Sequence, residues 1–573
     1  MLTEIPTANR VSRTRSLWPY AVIVLLYAVC ALLIDPRGEF PLNDDWSYTR
    51  SAFRLAMEGQ MRVDEWSAPI LVGQALYGGL LAWLFGARFL VLRLSTLALS
   101  CAASCMLWAL LRKLRVVPEL AWISVFSWVF NPVWLCLSFT FMTEIPFLFS
   151  AILGSCLFVD YLRSDRKWIG LACGLATGYA LLIRQTAVLF MVPMAVVILF
   201  ADEKRKLATR ISRALLWSGG VGLVMVPYAL WFLAHGGSTP ATQRKFELLS
   251  RITSRQLIGN SYGLAFYLSF FLLPVLIFLL PALARSMRTW ARHSVLMATA
   301  SWALIAGYGF WWFRTSCSAP VYLPSRSLHS RMPYLLNVLY DTGLGPITLD
   351  PTYYGTPPTP THADAWFVVT VLVALAFASL GIMLVPGIRR VQGGQPDRRI
   401  LLFGLLAAAG VASFEVVFSH LQEGGLFDRH ILTAALPLLL VFGCTWGQND
   451  PGHKPSRGSR AIALSIIAVA AWFSVCGTHD YLAWNRARWE LGNILLAAKV
   501  DPLTISGGFE FNAWNNYDAF RSRGNIGKIH YWWYDRPDFV IAMELQEDYR
   551  ILGKREYRSW LHHRDLPVYL LGK

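Results

Sequence analysis

The strongest constraint in this sequence is a series of long apolar runs that contain almost no charged residues. Thirteen such runs can be read along the chain, most of them long enough to cross a hydrocarbon layer about 30 Å thick. They lie near residues 17–34, 87–111, 118–138, 145–162, 168–183, 187–201, 214–234, 259–283, 294–313, 365–386, 400–419, 431–447 and 461–476. Because 55% of the residues are hydrophobic and only 15% are charged, an ordinary soluble globule is excluded. We expect an all-α polytopic membrane protein with about thirteen transmembrane helices.

The distribution of charge orients these spans. With the N-terminus in the cytoplasm, the inner segments hold 24 Lys and Arg, whereas the outer loops hold 13 basic and 14 acidic residues. The net charge of +17 therefore fits the positive-inside rule rather than a nucleic-acid partner. A further apolar run at 69–85 would reverse this arrangement if it spanned, so we interpret it as an interfacial helix in the first outer loop, 35–86. Arg88 and Arg93 follow among apolar neighbours, and we expect both to snorkel to the interface.

The domain organisation follows from the same hydropathy pattern. The sequence predicts a cytoplasmic N-terminus, 1–16, a transmembrane domain, 17–476, and an outer C-terminal domain, 477–573, which we call the cap. Within the cap, helical spacing at Tyr481–Lys499 and a strand pattern at Phe539–Met543 predict a small α/β fold, with a further strand at Leu503–Ser506. We therefore place the N-terminus inside and the C-terminus outside the membrane.

Carboxylates on the outer side are the first candidates for chemistry. Asp44 and Asp45 stand about ten residues beyond the first span, ahead of an amphipathic helix, and Glu144 lies at the tight turn between the third and fourth spans. Each has a structural alternative, because Asp and Glu also stabilise helix N-termini. Two adjacent acids exceed the need of one cap, so Asp44 or Asp45 is a candidate general base. Glu144 is a second candidate catalytic carboxylate.

Cations form the second group at the outer face. Arg184 lies between two short spans, and Arg429 and His430 begin the twelfth span, with Glu415 about a turn inside the preceding one. A guanidinium group matches a phosphate in bidentate geometry, so Arg184, Arg429 and His430 are candidates for binding a lipid phosphate. The alternatives are snorkelling for Arg184 and an internal pair with Asp428 for Arg429. Glu415 is a candidate cavity contact.

In the cap, Glu510, Asn512 and Trp514 form a polar and aromatic stretch. Aromatic rings stack on sugar faces, so these residues are candidate acceptor contacts. The structural alternative is that they pack the cap against the membrane domain. The sequence therefore leaves two roles open for this stretch.

Carboxylates and guanidinium groups at one membrane interface suit a transfer reaction from a lipid phosphate. The carboxylate would take the proton of an attacking hydroxyl, while the cations would stabilise charge on the departing phosphate. No nucleotide-binding motif is visible in the sequence. Two other classes stay open: a transporter or flippase of lipid-linked glycans, and a membrane scaffold that uses its cap to bind partners.

The order of these short motifs resembles the GT-C membrane glycosyltransferases. It is similar to the bacterial branch of family 39, which contains relatives of protein O-mannosyltransferases and aminoarabinose transferases. The motifs that carry the resemblance are Asn43-Asp44-Asp45-Trp46, Thr143-Glu144-Ile145-Pro146, Arg184-Gln185-Thr186 and Asp428-Arg429-His430.

This resemblance implies an inverting glycosyltransferase that uses a polyprenyl-phosphate sugar donor at the outer face of a bacterial cytoplasmic (inner) membrane. The acceptor would be a glycan, lipid or protein hydroxyl, with membrane lipids around the enzyme and no nucleic acid. It maps the first-loop acid of the family to Asp44 or Asp45 and its second-loop acid to Glu144. Relatives often have Tyr where this chain has His430, which puts the role of that position in question. No metal site is expected, although a divalent cation is possible because related enzymes use one.

Overall fold

The structure is a computed structural model in which most of the chain is described. The described residues are 17–164, 166–201, 205–235, 253–288, 292–316, 337–340, 342–350, 352–353, 363–392, 398–418, 426–447, 456–523 and 532–573. The predicted cytoplasmic N-terminus, 1–16, lies outside these residues.

Helices account for nearly all of the region that we expected to span the membrane. The first ten are α1 Trp18–Ile34, α2 Asp45–Glu58, α3 Val72–Phe85, α4 Phe89–Lys113, α5 Pro118–Val129, α6 Pro132–Ser138, α7 Glu144–Arg163, α8 Lys167–Ile183, α9 Val188–Phe200 and α10 Leu207–His235. The next seven are α11 Ser254–Phe271, α12 Leu273–Met287, α13 Arg292–Ser316, α14 Ala363–Gln392, α15 Arg398–Phe418, α16 Asp428–Trp446 and α17 Arg457–Ala497. All thirteen predicted apolar runs fall on helix, so the helical membrane fold is confirmed.

The number of spans stays a prediction. Among the described residues, seven helices are long and apolar enough to cross a membrane alone, namely α4, α7, α10, α14, α15, α16 and α17. Two of the predicted spans are bent helix pairs: α5 and α6 meet at 60°, and α11 and α12 meet at 84°. The predicted interfacial run at 69–85 is the short helix α3, which the same criteria do not include among the spans.

The bend between α5 and α6 has a local cause in the sequence. Asn131 accepts hydrogen bonds from the backbone N–H groups of Val133 and Trp134 at 3.0 and 3.1 Å through its side-chain oxygen. Pro132 then occupies the first position of α6, where its missing N–H costs nothing. An Asn cap followed by Pro therefore ends one helix and begins the next.

Small residues and buried hydroxyl groups set the packing of the membrane domain. A methyl group on Gly174 in α8 would lie 2.0 Å from the carbonyl oxygen of Trp217 in α10, so these two helices touch through their backbones. In α1, the Tyr27 hydroxyl bonds Ser100 at 2.8 Å and Ser104 at 2.9 Å, and it accepts the Trp134 indole N–H at 2.8 Å. One buried tyrosine thus joins three helices.

The cap combines helix with a small sheet, as predicted. Its remaining elements are the helix α18 Phe509–Ser522 and the strands β3 Ile505–Ser506, β4 Phe539–Ala542, β5 Arg550–Ser559 and β6 Arg564–Gly572, while β1 Leu339–Tyr340 and β2 Gly343–Leu344 form a separate hairpin. The strand order is β3-β4-β6-β5, with β3 parallel to β4 and the other pairs antiparallel. Helix α17 runs unbroken through residue 477, so the predicted domain boundary falls inside a helix of 41 residues.

Arg93 has a different position from the one that we expected. Its side chain is 2% exposed and donates to the carbonyl oxygens of Pro36, Gly38 and Phe40 at 2.7, 3.0 and 2.7 Å. The snorkelling prediction is therefore wrong for this residue, because three carbonyl groups of the first outer loop satisfy its guanidinium group. Arg93 fixes the path of the chain that leads to Asp44.

Candidate functional site

The two adjacent acids at the start of α2 lie in different surroundings. Asp45 is 3% exposed, and its carboxylate oxygens accept the backbone N–H groups of Leu42 at 2.6 Å and Phe141 at 2.9 Å. Burial raises the pKa of Asp45 to about 7, although both hydrogen bonds act in the opposite direction. Asp45 therefore ties the first outer loop to the turn before α7.

Asp44 is held less tightly. One carboxylate oxygen accepts the Trp66 indole N–H at 3.2 Å, and the other lies 3.1 Å from Nη2 of Arg429. Its side chain is 22% exposed. Asp44 and Asp45 each have one partner on each carboxylate oxygen, so the difference between them is that Asp44 is partly exposed and is held by side chains instead of backbone N–H groups.

Glu144 and Arg184 meet across two helix ends. Glu144 is the first residue of α7, and Arg184 follows the last residue of α8. Nη1 of Arg184 lies 2.6 Å from Oε1 of Glu144 and donates to the Thr143 hydroxyl at 2.8 Å. With 3% and 14% of their side chains exposed, the pair is largely withdrawn from water. Arg184 is thus partnered by a carboxylate and a hydroxyl within the protein rather than directed only towards head groups.

Arg429 joins the two carboxylates. Its Nε lies 3.4 Å from Oε1 of Glu144, its Nη2 contacts Asp44, and its side chain is 7% exposed. Among the described residues, its Nη1 has no hydrogen-bond partner. The structure therefore brings together four predicted site residues, Asp44, Glu144, Arg184 and Arg429, which we call the outer cluster.

The neighbours of Arg429 in sequence have separate contacts. Asp428 accepts the backbone N–H groups of Val338 and Leu339 at 3.0 and 2.6 Å, which binds the β1 segment to the start of α16. Nδ1 of His430 lies 3.5 Å from Oε2 of Glu415, and its Nε2 lies 3.9 Å from Oε1 of Glu144. His430 thus lies between two buried carboxylates at the edge of the outer cluster.

Two residues of the site were not singled out from the sequence. Tyr48 lies one turn after Asp44 on α2 and is 5% exposed; burial raises the pKa of its hydroxyl well above the usual range, and the Asp44 carboxylate adds to the shift. The four-residue spacing from Asp44 could have indicated this position. Trp66 carried no such signal, because its contact with Asp44 depends on how the loop after α2 folds back.

The predicted cap residues do not join the outer cluster directly. Glu510 is fully buried and accepts the backbone N–H of Asn43 at 2.8 Å. Asn512 accepts the backbone N–H of Gly507 at 2.9 Å, within the cap. The Trp514 ring packs 4.9 Å from that of Phe89, at the start of α4. This geometry favours docking of the cap for Glu510 and Trp514 and a contact inside the cap for Asn512, and acceptor contact stays a prediction for all three.

The outer cluster contains two guanidinium groups and two carboxylates. Over the described ranges, no group of three or more His, Cys, Asp and Glu side chains is arranged to hold a metal ion. The two guanidinium groups and the two carboxylates of the outer cluster balance each other in charge. A phosphate group bound here could accept a hydrogen bond from Nη1 of Arg429, which has no partner among the described residues.

Comparison with protein families gives one match. A family model described as dolichyl-phosphate-mannose-protein mannosyltransferase matches residues 73–231, roughly a quarter of the chain. The matched range runs from α3 through α10 and includes Glu144 and Arg184. It confirms the resemblance to GT-C membrane glycosyltransferases and the predicted enzyme class. A comparison with curated proteins gives no match.

Three solved structures are similar to the chain at low identity. ArnT from Cupriavidus metallidurans, bound to undecaprenyl phosphate, has 13% identity and a TM-score of 0.38, covering 97% of this chain and 98% of that one. The Archaeoglobus fulgidus oligosaccharyltransferase has 13% identity and a TM-score of 0.42, covering 81% and 55%. The arabinosyltransferase EmbB from Mycobacterium smegmatis has 14% identity and a TM-score of 0.33, covering 90% and 44%. These TM-scores are too low to carry an argument about the chemistry.

Proposed function

We propose that this multi-pass membrane glycosyltransferase moves a sugar from a polyprenyl-phosphate donor to an acceptor hydroxyl at the outer cluster, with Asp44 as the general base. The observation that carries the proposal is the contact between Asp44 and Arg429, which puts a partly exposed carboxylate beside a buried guanidinium group. A base and a phosphate ligand are thereby adjacent. The description of the matched family, which names a dolichyl-phosphate mannose donor, supports a donor of the same class.

The reaction can be written for these residues. The acceptor hydroxyl oxygen attacks the anomeric carbon while the bond from that carbon to the phosphate oxygen breaks, and inversion follows from attack opposite the leaving group. Asp44 takes the hydroxyl proton, and the electron pair of the broken bond stays on the phosphate. The lipid phosphate therefore gains one negative charge, which the unpaired N–H of Arg429 would stabilise. General-base assistance of this kind contributes roughly 10²- to 10⁴-fold to rate.

Glu144 has a supporting role in this proposal. It lies between Arg184 and Arg429 and is 2% exposed, so it holds both guanidinium groups in place and compensates their charge while the phosphate is absent. The positive-inside distribution supports an outer location for the site, with the N-terminus in the cytoplasm and the cap outside the inner membrane.

The test uses cells that lack the gene, complemented with the wild type or with Asp44→Asn. Mass spectrometry of surface glycans and polyprenyl-phosphate sugars should show a missing monosaccharide and an accumulated lipid-linked donor in the knockout, and the same in Asp44→Asn. Asp35→Asn is the matched control, since Asp35 is an acid of the same outer loop that is bound to Arg37. It should restore the wild-type glycans. Wild-type transfer by a correctly inserted Asp44→Asn protein would refute the assignment of the base.

A further inference from the structure

The cap reaches the candidate base through the residue before it. The backbone N–H of Asn43 donates to Oε1 of Glu510 at 2.8 Å, and both residues are buried. Asn43 has a φ of 56°, in the left-handed region that asparagine adopts more readily than other non-glycine residues, and its N–H in this conformation points at Glu510. Since Asp44 is the next residue, the position of its Cα depends on this hydrogen bond.

Glu510 is itself fixed inside a closed polar network. Its Oε2 accepts the Thr348 hydroxyl at 2.6 Å and lies 2.8 Å from Nη2 of Arg488. Arg488 also donates to Thr348 and Asn485, at 2.8 and 2.6 Å, and the side chains of Arg488 and Glu510 are both 0% exposed. A carboxylate with both oxygens bonded in this way has almost no freedom to follow a moving loop.

A second contact reaches Asp44 from the same direction. The Trp66 indole N–H donates to Asp44 at 3.2 Å, and its ring packs against two cap rings, 5.8 Å from Phe509 and 5.1 Å from Trp533. The cap is therefore connected to Asp44 indirectly by two routes, through the backbone of Asn43 and through Trp66, which contacts the Asp44 carboxylate.

We propose that Glu510 is a positioning residue that sets the Asp44 carboxylate for proton transfer, with Trp66 as its partner on the side chain. The inference rests on the proposed function of Asp44. In this inference the cap contributes to the chemical step by holding the base in place. Glu510 does so without contacting the acceptor. A displacement of about 1 Å in a reacting group can cost on the order of 10²-fold in rate.

Two double variants separate positioning from stability. Arg488→Met with Glu510→Met removes the buried ion pair and also the acceptor for the Asn43 N–H. Arg488→Gln with Glu510→Gln removes the same charges but keeps an amide oxygen that Asn43 can bond. Replacing a buried ion pair by apolar residues of similar size is often neutral for stability, so the Met pair should fold. The Gln pair should fold because its amide groups can still bond Asn43 and Thr348.

Transfer is measured in proteoliposomes that contain the full chain, with a lipid extract from cells lacking the gene as the source of donor and the envelope of those cells as acceptor. We expect the Met pair to lower the maximal rate roughly 10²-fold and the Gln pair to stay within a few-fold of wild type. The extract concentration at half-maximal rate, and inhibition by added undecaprenyl phosphate, should be unchanged in both. Rates are normalised to the folded fraction from size-exclusion chromatography.

A single variant keeps the proposal testable if the Met pair does not fold. Trp66→Phe keeps an aromatic ring at this position but loses the indole N–H that donates to Asp44. We expect a roughly five-fold lower maximal rate, because about one hydrogen bond is lost. Equal losses in both double variants, or full activity in the Met pair, would overturn the role of Glu510. If either of these results is found while Asp44→Asn is inactive, only the positioning role of Glu510 is refuted. If Asp44→Asn is active, the proposed function of Asp44 is refuted as well.

Discussion

The titration of Asp45 gives a prediction whose sign and size can be worked out from its surroundings. Burial raises its pKa from 3.8 to about 7 in the folded protein. Between these values the folded chain binds more protons than the unfolded chain, so stability is greatest at low pH and falls as pH rises towards 7. One pKa unit corresponds to about 1.4 kcal/mol, so the loss over this interval is on the order of 4 kcal/mol.

Asp45→Asn removes this titration while keeping the shape of the side chain. At pH 4 the amide replaces an uncharged acid, so a difference in unfolding temperature there reflects the backbone N–H that faces the amide nitrogen and not a charge. As pH rises to 7 or above, the wild type should lose stability relative to Asp45→Asn. The measurement is the unfolding midpoint in detergent, followed by tryptophan fluorescence at several pH values, and the difference between the two proteins isolates Asp45. Asp565→Asn, an exposed acid of the cap, is the control and should follow the wild type.

The reasoning would be refuted by a difference that does not change with pH. If Asp45→Asn were less stable by about 1–3 kcal/mol throughout, the carboxylate would be ionised in the fold, because the N–H groups of Leu42 and Phe141 had outweighed desolvation. Asp45 would then be a permanently charged anchor.

Two further predictions concern packing within the membrane domain. Tyr27→Phe leaves the buried Trp134 indole N–H without its acceptor, so thermal stability should fall by about 1–3 kcal/mol while the transfer rate per folded molecule stays constant. Gly174→Ala places a methyl group against the Trp217 carbonyl and should lower the yield of folded protein in size-exclusion chromatography. Gly219→Ala is the control, because it has open space around it and should behave like the wild type. Equal yields of the two variants would contradict the close contact.

The membrane helices could be predicted because each is determined by the local amino-acid composition. Apolar composition over about twenty residues is enough to indicate a membrane helix, whatever its neighbours are. The charged strands of the cap are different: β5 is exposed along much of its length, and among the described strands its partner is β6. Its sequence therefore has no apolar alternation to detect. This hairpin was therefore missed, while β4, with its buried run, was predicted.

Four of the predicted site residues lie together in the structure, but their contacts could not be predicted from the sequence. The choice between Asp44 and Asp45 depends on Phe141, about a hundred residues away, whose N–H takes up one oxygen of Asp45. The partner of Arg429 depends on the first outer loop folding back to meet α16, which no local pattern encodes. Glu510 likewise depends on Asn43, which lies in that same loop at the other end of the chain.

The unbroken helix α17 has a mechanical consequence. With 41 residues at about 1.5 Å each, it is roughly 60 Å long, and its first half belongs to the predicted transmembrane domain and its second half to the predicted cap. Each added or removed residue would turn everything beyond it by about 100°. A whole heptad restores most of the rotation but shifts the cap by about 10 Å, so no change in the length of this helix preserves the contact between Glu510 and Asn43.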